Sequence, residues 1–517
     1  MTRDGHPVSC ASGLYTVSSE EREERGNIMR VFGLPAAGKL LRTTALGMLL
    51  CFTGMAANTG SAAGTEQPAW TLYEAEEAEL DGTVVQRSRP GFSGEGYSTN
   101  FEMAGDAVKF TVTVEEEGYY PLRIGYASPY GDKTNYIEVN GHTAGEMMFP
   151  QTEAFAEIDF GLVELDEGDN RIDISTYWGF FDVDYILLGE REERRPVAGV
   201  DPVLVTPEPS REAQALMEYM TSHYGKGILT GQQRTSSAEL DYIYAVSGKL
   251  PVISGFPAEE GIDMALEWAK HGGIVTMEWH WGAPGGERAT LASETGFDAD
   301  KAVTPGTSEY ERTIADIDRM AAQLLRLKRE GVPVLWRPLH EAEGGWFWWG
   351  AKGPETAKKL YGILFDRFSR HHGLNNLIWV WTTSDSAHSR AWYPGDELVD
   401  IVGVDRYMRD GDYSPLMGVY DKLSAMVDGK KLVAYTENGP MPDPKQLKRH
   451  KIGWMYFNTW GGRFIADGMI NSKHHVRAVY NHPYSITLDE FPSEAIYGKA
   501  SVPYPVRERK QTEGRSK

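Results

Sequence analysis

The stretch "VLWRPLHEAEGGWFWWG", residues 334–350, decides how the chain reads. An apolar run closes on Arg-Pro-Leu-His-Glu, and "WFWW" follows at 346–349. Buried strands of ordinary core do not end on His-Glu, so the run predicts a strand whose C-terminal end carries working side chains. Similar runs recur on both sides, at 226–233, 250–256, 272–280, 332–341, 377–383, 399–407, 431–439 and 452–462. Between them lie amphipathic patterns such as "SEYERTIADIDRMAAQLLRLKREG" and "PETAKKLYGILFDRFSRHHG". Eight buried strands alternating with helices over roughly 260 residues predict an α/β (β/α)8 barrel across 211–492. An open doubly wound sheet is the other architecture for this rhythm, but no Gly-rich phosphate fingerprint opens a helix.

Residues 70–189 have another texture. Short runs such as "AVKFTVTV", "NYIEVNG" and "AEIDFGLVEL" alternate with period 2 and are divided by Gly, Asn and Asp. They predict an all-β sandwich, jelly-roll-like, ahead of the barrel. The charged, proline-rich segment 190–210 reads as a linker, and 503–517 as a disordered tail. At the other end, basic residues precede the apolar "TTALGMLLCFTGMAA" (43–57), with small residues after it. That run is too short to span a bilayer and predicts a secretory signal within 1–63. Met29 offers a second start. The two cysteines, Cys10 and Cys51, both fall in this region, so a processed chain would have neither disulfide nor thiolate site.

A formal net charge of −22 argues against nucleic acid and anionic membrane as partners. The 14 Trp and 26 Tyr suit neutral ligands that stack on flat rings, such as sugars. In a barrel of this kind the chemistry gathers at the C-terminal ends of the strands. Those ends carry Trp279-His280-Trp281, His340-Glu341, Asp405-Arg406-Tyr407, Thr436-Glu437-Asn438 and Thr459-Trp460. Glu341 and Glu437, on the fourth and seventh strands, would face each other across one mouth. Paired carboxyls in an aromatic, water-poor site are the equipment of glycoside hydrolysis: one delivers a proton, the other attacks the anomeric carbon. No His-Glu-x-x-His helix or comparable spacing suggests a catalytic metal.

The motifs "RPLHEAEGGWFWWG", "WYPGDELVDIVGVDRY" and "YTENGP", in this order, resemble glycoside hydrolase family 26 through most of 211–490. The resemblance implies a retaining barrel enzyme, most commonly an endo-β-1,4-mannanase that needs no cofactor. It makes Glu341 the acid/base and Glu437 the nucleophile, with His340 tuning the acid. It makes His280 a sugar ligand, Tyr407 the hydrogen-bond donor to the nucleophile, Trp460 a stacking platform, and Trp346 the tryptophan beyond the acid/base. Glu343 departs from the family's "HEANGG" and would lift the acid's pKa or alter a subsite.

The sandwich, through "YEAEEAEL" and "FFDVDYILLG", resembles carbohydrate-binding module family 35. By that likeness Glu74, Glu76 and Asp184 would hold a structural calcium where the two edges meet. Trp178 would stack on a pyranose and Asn135 would hydrogen-bond it. The expectation is a secreted, monomeric β-mannanase acting on mannan polysaccharide. Other β-glycanase activities of the family (mixed-linkage β-glucanase, β-1,3-xylanase, exo-mannobiohydrolase) and an inert carbohydrate-binding protein are the competing readings.

Overall fold

The structure, a computed structural model, describes residues 69–505 apart from positions 178, 235, 287, 386 and 387. The proposed signal region and most of the expected tail lie outside the described residues. Among the described residues no helix is long and apolar enough to cross a membrane.

Two antiparallel sheets, of six and five strands, build the N-terminal sandwich. Alternation decides which face turns inward. In Ala107–Val114 the residues Val108, Phe110, Val112 and Val114 are buried, whereas Thr111 and Thr113 are exposed. The first strand, Thr71–Glu74, pairs with the last, Asp182–Leu188, so the two chain edges of the module meet. Its own core is filled by strand residues such as Phe110 and Phe149 and by Phe101 and Phe181 from the connections.

The second half is a closed barrel of eight parallel strands. In chain order they are Gly231–Gln233, Ile253–Pro257, Ile274–Trp279, Val334–Pro338, Leu377–Thr383, Ile401–Arg406, Leu432–Asn438 and Phe457–Thr459. The register Gln232↔Thr459 joins the eighth strand to the first. Parallel strands covered on both faces read as continuous apolar runs, which is why these were visible. The observed strands are mostly shorter than the expected runs, and two of these runs show it most. The expected strand at 226–233 divides, with Ile228–Leu229 pairing Ser485–Ile486 outside the barrel. The run at 452–462 contributes only Phe457–Thr459. Helices close the outside. Ser308–Arg329, for example, is capped by Thr307 and carries Glu309 and Glu311 in its first turn and Arg326, Lys328 and Arg329 in its last.

The segment between the two halves is tied down. Arg194 makes a bidentate pair with Asp421, at 2.6 and 2.8 Å, and Val200 and Leu204 join the barrel's core. Residues 502 and 504, around the start of the expected tail, pack on the barrel. Val502 N donates to Lys270 O at 2.9 Å, and the Tyr504 ring packs edge-on against Trp268 at 5.6 Å.

Candidate active site

At the C-terminal mouth of the barrel an oxygen from each of Glu341, Asp405 and Glu437 lies within 4.8 Å of the others. Retaining glycosidases hold their two carboxyls about 5–5.5 Å apart and inverting ones about 6.5–9.5 Å. The nearest oxygens of Glu341 and Glu437 are closer than the inverting spacing.

Glu437 sits inside the seventh strand and is buried. Its Oε2 accepts from the Tyr407 hydroxyl at 2.7 Å, and its Oε1 pairs with Arg337 Nη2. The other Arg337 terminal nitrogen donates to Asp405 at 2.7 Å, and Thr436 Oγ1 donates to Asp405 at 2.7 Å. Burial next to Glu437 pushes the Asp405 carboxyl up, while Arg337 opposes that. A register shift after Val404 sets up this geometry: Asp405 pairs with Glu437 rather than with the next residue in line. Such irregularities re-aim side chains at barrel rims.

Glu341 does not lie on its strand, which ends at Pro338. Leu339 and Glu341 both have left-handed backbones, each with φ 52°. The chain thereby turns sharply and presents the Glu341 carboxyl sideways to the mouth. Trp346 Nε1 donates to Glu341 Oε2 at 3.2 Å. Burial first, then the Glu437 charge, push the Glu341 carboxyl up to about 8. Glu343 adds a smaller push in the expected direction. Its own carboxylate is turned aside, accepting from Thr383 Oγ1, from Ser384 N at 2.8 Å and from Ser389 Oγ at 3.3 Å.

The remaining predicted barrel residues gather here as well. His280 and His340 meet ring to ring at 4.5 Å, and His280 is 6.2 Å from the Trp460 ring. Burial lowers the pKa of both histidines, so they are neutral donors and acceptors near pH 7. His340 is buried behind the acid, its ring against Phe347 and Trp349. Of "WFWW", Trp346 is 38% exposed at the mouth, while Phe347, Trp348 and Trp349 pack the loop.

Sequence reasoning missed Arg337 and the roles of Asp405 and Glu278. Arg337 was visible as a lone charge within an apolar strand run. Glu278, fully enclosed on the third strand, is pushed up to about 8 by burial and accepts from Gln233 Nε2. Gly255 makes room for that amide, since a Cβ there would stand 1.8 Å from Gln233 Oε1.

In the module, Glu74 ends the first strand and Glu76 follows on a single 3-10 turn. Both converge with Asp184 on the 93–95 loop. Ser93 Oγ donates to Glu74 at 2.7 Å, Ser93 N to Asp184 at 2.9 Å, and Glu95 N to Glu76. Glu74 Oε2 and Glu76 Oε2 are buried without a hydrogen-bond partner, and burial pushes Asp184 up to about 6. Three carboxylates with oxygens left over fit an oxygen-liganded cation. Asn135, expected to meet a sugar, is buried, and its Oδ1 accepts from Tyr177 N at 3.0 Å. Trp178 lies outside the described residues.

Comparison with known proteins agrees with this geometry. Residues 205–490 match glycosyl hydrolase family 26, and residues 71–190 match carbohydrate binding module family 35. The chain is 40% identical over 443 residues to a mannan endo-1,4-beta-mannosidase of Thermothelomyces thermophilus, covering 81% of this chain and 90% of that protein. A Bacillus subtilis mannan endo-1,4-beta-mannosidase is 34% identical over 265 residues, 45% of this chain and 72% of that one. The fold resembles the crystal structure of a Podospora anserina family 26 β-(1,4)-mannanase with a family 35 module, at TM-score 0.56 and 37% identity, covering 82% of this chain and 99% of that one. It also resembles a ruminal family 26 endo-β-1,4-mannanase, at TM-score 0.61 and 30% identity, covering 83% of this chain and 99% of that one. The chain belongs to glycosyl hydrolase family 26, with a family 35 carbohydrate-binding module ahead of its catalytic barrel.

Proposed function

We propose that this protein is a secreted endo-β-1,4-mannanase that cleaves mannan chains by double displacement. The observation that carries the reading is the pair of carboxyl groups within 4.8 Å in opposed surroundings. Glu437 faces a guanidinium and a phenol hydroxyl, while Glu341 faces indole and a neighbouring negative charge. The mannanase names of the relatives support the substrate.

In the first step a Glu437 oxygen attacks the anomeric carbon while Glu341 passes its proton to the departing sugar oxygen. Tyr407 holds Oε2 and Arg337 holds Oε1, so the attacking carboxylate is fixed from both sides. The ester that forms no longer bears the Glu437 charge. One of the three influences that raise the Glu341 pKa is then gone, so Glu341 stays ionised more readily and can accept the proton of the incoming water. Water attacks the same carbon, Glu341 takes its proton, and Glu437 leaves with the ester electrons. Carboxyl groups fill both chemical roles. His280, Trp460 and Trp346 line the mouth where a sugar ring would stack and hydrogen-bond.

The module would hold the enzyme on its polysaccharide by raising the local substrate concentration. Glu74, Glu76 and Asp184 would hold its structural calcium, the 43–57 run would direct export, and the chain would work as a monomer. The test is incubation with mannan, galactomannan, barley β-glucan and β-1,3-xylan, with sizing of the products. Mixed manno-oligosaccharides from the mannans alone are expected. Release of mannobiose only would indicate exo action, and cleavage of glucan or xylan instead would overturn the substrate.

A further inference from the structure

The catalytic site is joined to the binding module through one buried arginine. Arg406 closes the sixth barrel strand, between Asp405 and Tyr407. Its backbone oxygen accepts from the Tyr435 hydroxyl at 2.6 Å. Its guanidinium points the other way and meets Glu146 of the module at 2.5 Å. Glu146 lies on the strand His142–Phe149, 260 residues earlier in the chain. A carboxylate within the barrel, Asp385, stands 4.0 Å from Arg406 but is paired more closely with Lys422 at 2.8 Å. Glu146 is thus the nearer counter-charge of a side chain that retains 15% exposure.

We propose that Glu146 of the module is a positioning residue for the barrel's reaction: by pairing with Arg406 it fixes the strand end that aims Tyr407 at the nucleophile Glu437. An arginine left unpaired in so dry a place would swing toward water or toward other acids. The two residues beside it in the chain are Asp405, which shares Arg337 with Glu437, and Tyr407, which donates to Glu437 at 2.7 Å. Any rotation of the backbone at 406 moves both. The strand carries its register shift between Val404 and Asp405, and beyond it only two residue pairs, Asp405↔Glu437 and Arg406↔Asn438, continue the ladder. The module therefore does more than tether; it supplies one charge to the catalytic barrel. Other contacts keep it seated when that charge is removed: Arg409 stacks on Tyr136 at 3.3 Å, and Tyr119 meets His450 at 2.9 Å.

The inference rests on the double-displacement reading of Glu341 and Glu437. Its test is a double-mutant cycle on the full chain with a soluble manno-oligosaccharide, on which tethering has no effect. Glu146→Gln is expected to lower kcat about tenfold with KM little changed, as a displaced donor would. Added to Tyr407→Phe, it should cost almost nothing more, because both remove the same aim. Wild-type kcat in Glu146→Gln, multiplicative losses in the double variant, or a loss confined to insoluble mannan would each overturn the proposal. If Glu146→Gln does not fold, Glu146→Asp takes its place in the cycle, with the same non-additivity expected and independence again fatal. A wild-type enzyme inactive on the manno-oligosaccharide would instead overturn the mannanase reading.

Discussion

Arg337 and Glu437 form an ion pair inside the barrel, and the free arm of the same guanidinium reaches Asp405 at 2.7 Å. Both side chains are almost wholly buried. One cation thus serves two carboxylates, and its planar fork can do so where an ammonium cannot. Arg337→Met is expected to cost about 3–5 kcal/mol of stability by stranding two buried acids. Arg337→Lys should stay folded but lose about 10²-fold in kcat, because a point charge cannot orient both oxygens. Denaturant unfolding and steady-state kinetics on one substrate check the two.

Glu341 should matter in proportion to the leaving group. Glu341→Ala is expected to lose about 10²–10⁴-fold in kcat on mannan, where the departing sugar oxygen needs a proton. On an aryl mannoside with an acidic phenol the glycosylation step should be largely spared, and added azide should restore turnover of the intermediate. Equal losses on both substrates would remove Glu341 from the acid role.

The pH profile follows from the same carboxyl. A general acid works only while protonated, and Glu341 is held up to about 8. Activity is therefore present below that value and lost as pH rises through it. The alkaline limb of kcat/KM should fall near pH 8 on mannan and vanish with the acidic-phenol substrate.

This arrangement was only partly visible in the sequence. The eight strands were, because strands buried on both faces leave unbroken apolar runs. The two glutamates were, because each follows such a run. Arg337 was overlooked because a charge within an apolar run gives no sign of which buried acids it meets. The left-handed turn at Glu341 has no signal either, since neither leucine nor glutamate favours that backbone. The burial of Asn135 gave no sign either: polar residues on a strand read as facing outward, whereas this one accepts from a backbone N–H of the module. The pairing of Glu146 with Arg406 joins two domains, and no local pattern anticipates it.

The module's acidic cluster gives a prediction on stability. Asp184 is pushed up to about 6 from an ordinary value of 3.8, chiefly by burial, with Glu74 and Glu76 adding to it. The folded state therefore holds a proton that the unfolded state releases across that window. Without a cation, stability should fall as pH rises from about 4 to about 6. Saturating calcium should reverse the trend and raise the melting temperature at pH 7, and a chelator should remove the gain. Thermal melts of the full chain at pH 5 and 7, with calcium and with chelator, decide it. No response to calcium would count against these three ligands.

The central claim is that Glu437 becomes covalently bonded to the sugar while Glu341 manages the proton. Incubation with a 2-deoxy-2-fluoro mannosyl donor bearing a good leaving group, followed by peptide mass mapping, tests it most directly. The account predicts one stoichiometric fluorosugar adduct on the peptide that contains Glu437, at its side chain. An adduct on Glu341 or Asp405, or turnover with no adduct and an inverted product, would contradict it.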